Sequence, residues 1–154
     1  MRIAIGSDER THLTDCVIAE VEKRGHSVTL FGPLGGKALY WPAVAQAVAE
    51  QVVSGEADEA ILFCWTGTGI SLAANKVPGI RAALCHDAQT AKGARLWNKA
   101  NALCLSLRAT SEIVAQEILD AWFSTEYQPN EVDDACLAQV EALEAKWAKR
   151  IISV

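Results

Sequence analysis

The chain predicts a doubly wound α/β fold: a five-stranded parallel sheet with helices on both faces, followed by a C-terminal helix. Three observations carry this. Short apolar, β-rich runs alternate with stretches whose apolar residues recur at helical spacing. The loops between them are short, apart from the one before Pro42, which suits right-handed βαβ crossovers. Finally, 154 residues make one domain's worth of chain, long enough to bury a substantial core without disulfides. The expectation is a single Rossmann-like domain over residues 1–154.

Each element has its own signal. Arg2–Ser7 is β-rich and stops at Gly6-Ser7-Asp8, after which Leu13, Val17, Ile18 and Val21 mark a helix that Gly25 closes. Ser27–Phe31 is the second strand, and Gly32-Pro33-Leu34-Gly35-Gly36 is a loop by composition. Pro42 suits the first turn of a helix running to about Val53, ended by Ser54-Gly55. Asp58–Cys64 forms the third strand and Ile70–Lys76 the third helix, with Pro78-Gly79 as a turn. Ile80–Cys85 is the fourth strand, Asp87 caps a helix through Trp97, and Asn101–Ser106 is the fifth strand. Ser111 opens a helix with Ile113, Val114, Ile118 and Leu119 on one face. Beyond Tyr127-Gln128-Pro129-Asn130 a polar amphipathic helix spans 132–150. No strand follows it, so it is expected to lie across a neighbouring subunit or the domain surface.

Composition removes several classes of function. A net charge of -5, a pI near 5.2 and no clustered basic face argue against nucleic acid. No apolar stretch approaches the roughly 20 residues needed to span a bilayer, and Met1-Arg2-Ile3-Ala4-Ile5 begins a strand rather than a signal peptide. A cytoplasmic protein without a membrane partner is expected. Five cysteines are an odd count, with no Cys-x-x-Cys pair and no histidine ladder, so the thiols are read as reduced and no metal site is expected. Cys85 and Cys104 fall in core strands, while Cys16 and Cys136 lie on helices with no site evident around them. His12, His26 and His86 lack sequence partners, and only His86, at a strand end, is a candidate for the site.

The most informative stretch is Ala60-Ile61-Leu62-Phe63-Cys64-Trp65-Thr66-Gly67-Thr68-Gly69. A buried strand ends in a cysteine, and a Thr-Gly-Thr-Gly turn leads straight into a helix. Free N–H groups and the helix dipole converge there, favouring a thiolate or a developing oxyanion. Doubly wound sheets bind ligands outside the carboxyl ends of their strands, near a switch in strand order. That edge is expected to gather Asp8, Glu9, the loop up to Trp41, Cys64 to Gly69, His86-Asp87 and Arg108.

Five segments in register, Gly6-Ser7-Asp8, Cys64 to Lys76, Gly79-Ile80-Arg81-Ala82, Trp97-Asn98-Lys99-Ala100-Asn101 and Ala121-Trp122-Phe123, together resemble one family. It is the ribose-5-phosphate isomerase type B and galactose-6-phosphate isomerase family of sugar-phosphate isomerases, matched from Met1 to about Tyr127. The resemblance implies aldose-ketose isomerisation through a cis-enediolate, without metal or organic cofactor. It also implies active sites shared between subunits of a homodimer or dimer of dimers. Cys64 aligns with the base of the cysteine-type branch; the other branch carries a glutamate at the place of Thr68. By the same resemblance Cys64 and Thr66 are the catalytic residues. It implies that Asn98 contacts a sugar or sugar phosphate and Arg108 its phosphate; Asp8, Glu9, Trp65, Gly67, Thr68, Gly69 and Trp97 are expected around the substrate beside them.

The chain also departs from the family pattern. Glu9 and Trp97 stand where relatives carry histidines, the latter assisting ring opening, and Trp65 replaces a glycine. Tyr40-Trp41-Pro42 stands for Asp-Tyr-Pro, and Glu131, Asp133 and Asp134 occupy the region of phosphate-binding arginines. Fewer cations and added carboxylates make a dianionic phosphate costlier to hold. Trp41, Trp65 and Trp97 would supply flat apolar surface around the mouth of the site. A substrate other than ribose 5-phosphate, short and acyclic, is expected. The rival readings are a regulatory or binding subunit paired with a catalytic relative, and a nucleotide-binding module, disfavoured because neither a dinucleotide fingerprint nor a Walker loop is present.

Overall fold

Five strands, β1 (Arg2–Ser7), β2 (Ser27–Phe31), β3 (Glu59–Cys64), β4 (Ala82–Leu84) and β5 (Ala102–Ser106), form one parallel sheet in the order β2-β1-β3-β5-β4. Six helices connect and follow them: α1 (His12–Lys23), α2 (Trp41–Val53), α3 (Thr68–Ala74), α4 (Ala88–Asn98), α5 (Glu112–Ser124) and α6 (Glu131–Ile151). The structure, a computed structural model, describes residues 1–151; positions 152–154 of the expected domain lie outside the described residues. Gly32–Gly35, read as a loop, is a short 3-10 turn begun with the help of Pro33. No helix among the described residues is long and apolar enough to cross a membrane.

Strand side chains alternate between the two faces, and each face has its own core. Ile3, Ile5, Ile61, Phe63, Leu103 and Leu105 pack with α1, α4 and α5. On the other face Ala4, Ala60, Leu62, Cys64, Ala102 and Cys104 meet Val44, Ala45 and Val48 of α2 and Ile70 and Ala74 of α3. Small residues on this second face let α2 approach closely: a Cβ on Gly6 would stand 2.6 Å from Val44 and 2.7 Å from Val48.

Two features of the strand order position everything else. The chain moves outward from β1 to β2 and then returns to place β3 on the other side of β1, so the switch point lies between β1 and β3. The chain next skips a place: β4 goes to the edge, and β5 inserts beside β3, pairing Cys64 with Ser106. Strand β5 is buried throughout, whereas β4 is three residues long and half-buried, which suits an edge.

At the amino ends of the strands a buried ionic cluster ties the layers together. Glu59 accepts from Trp122 Nε1 at 2.7 Å and pairs with Arg95 at 2.6 Å. Arg95 also donates to the carbonyls of Ala100 and Thr125 and stacks over the Trp122 ring. Burial raises the Glu59 pKa above its ordinary value, against the pull of Arg95 and the Trp122 hydrogen bond.

Helix α6 runs past this amino edge, where Glu144 accepts from the Gly79 amide at 3.1 Å. Between α6 and the start of β4 an open groove of about 470 Å³ is lined by Ile80, Trp97, Leu137, Val140 and Leu143, among others.

Candidate active site

Cys64 closes β3 with only 5 % of its surface exposed, on the face covered by α2 and α3. The turn after it is bolted to β5. Cys64 O accepts from Gly67 N at 3.1 Å and Leu107 N at 3.0 Å, and Trp65 O accepts from Arg108 N at 3.1 Å and Ser106 Oγ at 3.0 Å. In a trans peptide the C=O and N–H point opposite ways. Fixing these two carbonyls toward β5 therefore turns the Trp65 and Thr66 amides the other way.

Gly67 makes the turn possible. Its φ is +75°, and a Cβ there would stand 2.5 Å from Leu84 and 3.1 Å from the Leu105 backbone, so both conformation and space demand glycine. Helix α3 begins at Thr68, earlier than the expected Ile70, and ends at Ala74 rather than Lys76. Its first hydrogen bond is donated by Ser71 N to Gly67 O. The N–H groups of Thr68, Gly69 and Ile70 find no acceptor among the described residues. Beside them the Thr66 and Thr68 hydroxyls bond each other at 2.7 Å. The Trp41 ring lies over Gly69, about where a Cβ would meet it at 3.3 Å, and covers the turn.

Across the switch point, Asp8 follows β1. Thr11, not Asp8, caps α1, through a capping box with Thr14, so the Asp8 carboxylate is not spent on the helix. Its Oδ1 is buried and meets no hydrogen-bond partner among the described residues. Desolvation, with a smaller contribution from Glu9, raises the Asp8 pKa. Ser7 pins the loop: its hydroxyl donates to Glu9 O at 2.6 Å and accepts from Glu9 N at 3.2 Å. An open groove of about 680 Å³ runs from Asp8 and Glu9 along Pro33, Ala38, Leu39, Tyr40 and Ala43. Trp65 and Arg108 are exposed at the same edge. The Arg108 guanidinium makes no ion pair or hydrogen bond among the described residues. His86 is exposed past β4, one strand further out than the sequence order suggests, and Asp87 is spent as the cap of α4, accepting from Thr90 N at 2.7 Å.

Two expected site residues stand elsewhere. Trp97 and Asn98 end α4, which runs back along the sheet, so they sit just before β5 at its amino edge. A six-residue strand separates that edge from Cys64, about 17 Å at the usual rise. Within one chain, Trp97 therefore stands apart from Trp41 and Trp65, contrary to the expectation that the three surround one mouth. It lies instead over Gly93, one turn back on α4, with 61 % of its surface exposed.

Sequence reasoning passed over Ser7 and Ser106, both fully or almost fully buried at strand ends flanking the turn. The available signal was a hydroxyl closing an otherwise apolar strand, where only the local backbone can satisfy it.

Residues 3–139 match the sequence model of the Ribose/Galactose Isomerase family. The chain is 35% identical over 144 residues to a galactose-6-phosphate isomerase subunit LacB of Clostridium acetobutylicum, covering 93% of this chain and 83% of that one. It is 37% identical over 131 residues to a D-erythrulose-4-phosphate isomerase of Pectobacterium atrosepticum, covering 83% and 86%. Its fold is similar to that of Clostridium thermocellum ribose-5-phosphate isomerase B, with a TM-score of 0.89, 38% identity and coverage of 96% and 99%.

Proposed function

The chain belongs to the ribose/galactose isomerase family, and on that premise we propose that it interconverts an aldose and a ketose, as a sugar phosphate or related small sugar, with Cys64 as the base. The observation that supports this most directly is Cys64 at the β1/β3 switch point, beside a turn whose amides at Thr68, Gly69 and Ile70 have no acceptor among the described residues. The Cys64 thiolate takes the proton from the carbon next to the carbonyl and returns it to the neighbouring carbon. The cis-enediolate formed between these steps places negative charge on oxygen, which the turn amides without acceptors among the described residues would stabilise. Thr66, held by Thr68, offers the hydroxyl through which a proton passes between the two substrate oxygens. The unpartnered Asp8 Oδ1 accepts from a substrate hydroxyl, which removes the roughly 1–3 kcal/mol cost of a buried unsatisfied acceptor.

We further place the substrate among short acyclic sugar phosphates. Trp97 stands where the resemblance places a ring-opening histidine, and Glu9 where it places a second histidine. The similarity to an isomerase named for D-erythrulose 4-phosphate supports this: a four-carbon 2-ketose is too short to close a furanose, and in its aldose isomer the oxygen that would close one carries the phosphate. Arg108, exposed and without a partner among the described residues, would take the phosphate, while Trp65 and Glu9 shape the entrance.

The active site is completed by a second copy in this reading, which brings the partner's Trp97 and Asn98 to Cys64. Their position at the opposite sheet edge of their own chain supports it, as do the exposed Val140 and Leu143 of α6 beside the same groove. Five unpaired thiols fit a reducing cytoplasm.

The test is proton exchange into deuterated water by the purified protein, with erythrulose 4-phosphate and ribose 5-phosphate as candidates. Exchange with the four-carbon sugar, lowered about 10²–10⁴-fold by Cys64→Ala, is expected. Full turnover of ribose 5-phosphate would refute the short-chain assignment. Exchange that is absent, or indifferent to Cys64→Ala, would favour a binding subunit that pairs with a catalytic relative, a reading the similarity to a LacB subunit keeps in view.

A further inference from the structure

On the face opposite Cys64, three side chains of metal-ligating type converge. His12 and Cys16 lie one turn apart on α1, and Glu112 opens α5. The His12 Nε2 atom is 2.8 Å from Glu112 Oε1 and 3.5 Å from Cys16 Sγ. The donor atoms of the three lie within 4.8 Å of one another, the one such grouping among the described residues. We infer that His12, Cys16 and Glu112 form a binding site for a zinc-class divalent cation, joining the start of α1 to the start of α5.

The geometry fits that ion. Tetrahedral zinc, with bonds of about 2.0 Å to nitrogen and 2.3 Å to sulfur, sets its nitrogen and sulfur ligands roughly 3.5 Å apart. That is the His12–Cys16 spacing, whereas the shorter His12–Glu112 contact would open slightly as the ion replaces the shared proton. A neutral imidazole, a thiolate and a carboxylate cancel a double positive charge, and the sulfur selects zinc, cobalt or cadmium over magnesium and calcium. Partial burial and Glu112 raise the Cys16 pKa, so binding would release the thiol proton. Three protein ligands leave a fourth position for water. The two helix starts joined here follow the segments carrying Asp8, Glu9 and Arg108, so the ion would brace the site edge from the side away from the reacting groups.

Titration of the purified full chain with zinc, and with cobalt as a spectroscopic probe, tests this without reference to activity. Expected are one equivalent per chain, a thiolate-to-cobalt charge-transfer band and a higher Tm with zinc. Cys16→Ser should abolish the band, and His12→Ala and Glu112→Gln should each weaken binding at least about tenfold, the lower end of what losing even an outer partner costs. The inference is overturned if no stoichiometric binding occurs, if the variants bind like the parent, or if the band survives Cys16→Ser but disappears in Cys136→Ser, the other thiol accessible on a helix.

Discussion

Gly67 shows how much of the proposed chemistry rests on one backbone conformation. Any side chain there must adopt φ near +75° and displace Leu84 or the Leu105 backbone. Gly67→Ala is expected to cost about 1–3 kcal/mol of stability, read as a lower urea midpoint. It should lower proton exchange further than the stability loss explains, because the amides after it move with the turn. Cys64→Ala should leave the urea midpoint near that of the parent while removing exchange, so the two variants separate scaffold from chemistry. At this scale the sequence was most legible: a cysteine ending an apolar run and a Thr-Gly-Thr-Gly turn already pointed to the junction. Asp8 was less so, because only the structure shows Thr11 taking the cap and leaving Oδ1 unpartnered.

Among the elements, the amino edge of the sheet carries two ionic ties of opposite character. The buried one joins β3, α4 and α5 through Glu59, Arg95 and Trp122. Arg95→Met strands a buried carboxylate and is expected to cost about 3–5 kcal/mol, whereas apolar replacement of both partners should recover most of that in urea melts. The raised Glu59 pKa means that its contribution is greatest at low pH and diminishes as pH rises through the folded-state value. The exposed tie joins β1 to β3: Asp58 accepts from the Arg2 amide at 2.7 Å and pairs with its guanidinium. These contacts lower the Asp58 pKa to about 2. Its stabilisation is therefore present above the ordinary aspartate value and lost as pH falls through that value toward 2. Asp58→Asn should flatten that part of the acid limb in stability measured against pH and lower neutral stability by the same amount, a small one because exposed pairs contribute little. Neither tie was legible in the sequence, since Glu59 and Trp122 are 63 positions apart and their pairing follows from how α5 packs.

For the whole molecule, the proposed shared site predicts complementation. Cys64→Ala and Asn98→Ala should each be inactive alone. Mixed under conditions that exchange subunits, they should regain about a quarter of parental activity, since one site in four then carries both native residues. Recovery failing in an assembly shown to be mixed would place Asn98 outside the site. Light scattering of the single chain supplies the control: a strict monomer excludes the shared site outright.

The alternation of strands and helices, the switch from one to the next, and the candidate cysteine with its turn were determined by the sequence alone, because periodicity and turn chemistry are local. Strand order was not. Chain order would set β4 beside β3, yet β5 takes that place and brings Ser106 and Arg108 against the Cys64 turn, leaving His86 further out. The same folding separates Trp97 and Asn98 from Cys64 and draws His12, Cys16 and Glu112 together. Those outcomes depend on which strands can be buried on both faces and on contacts between distant segments, and these are properties of the packed chain.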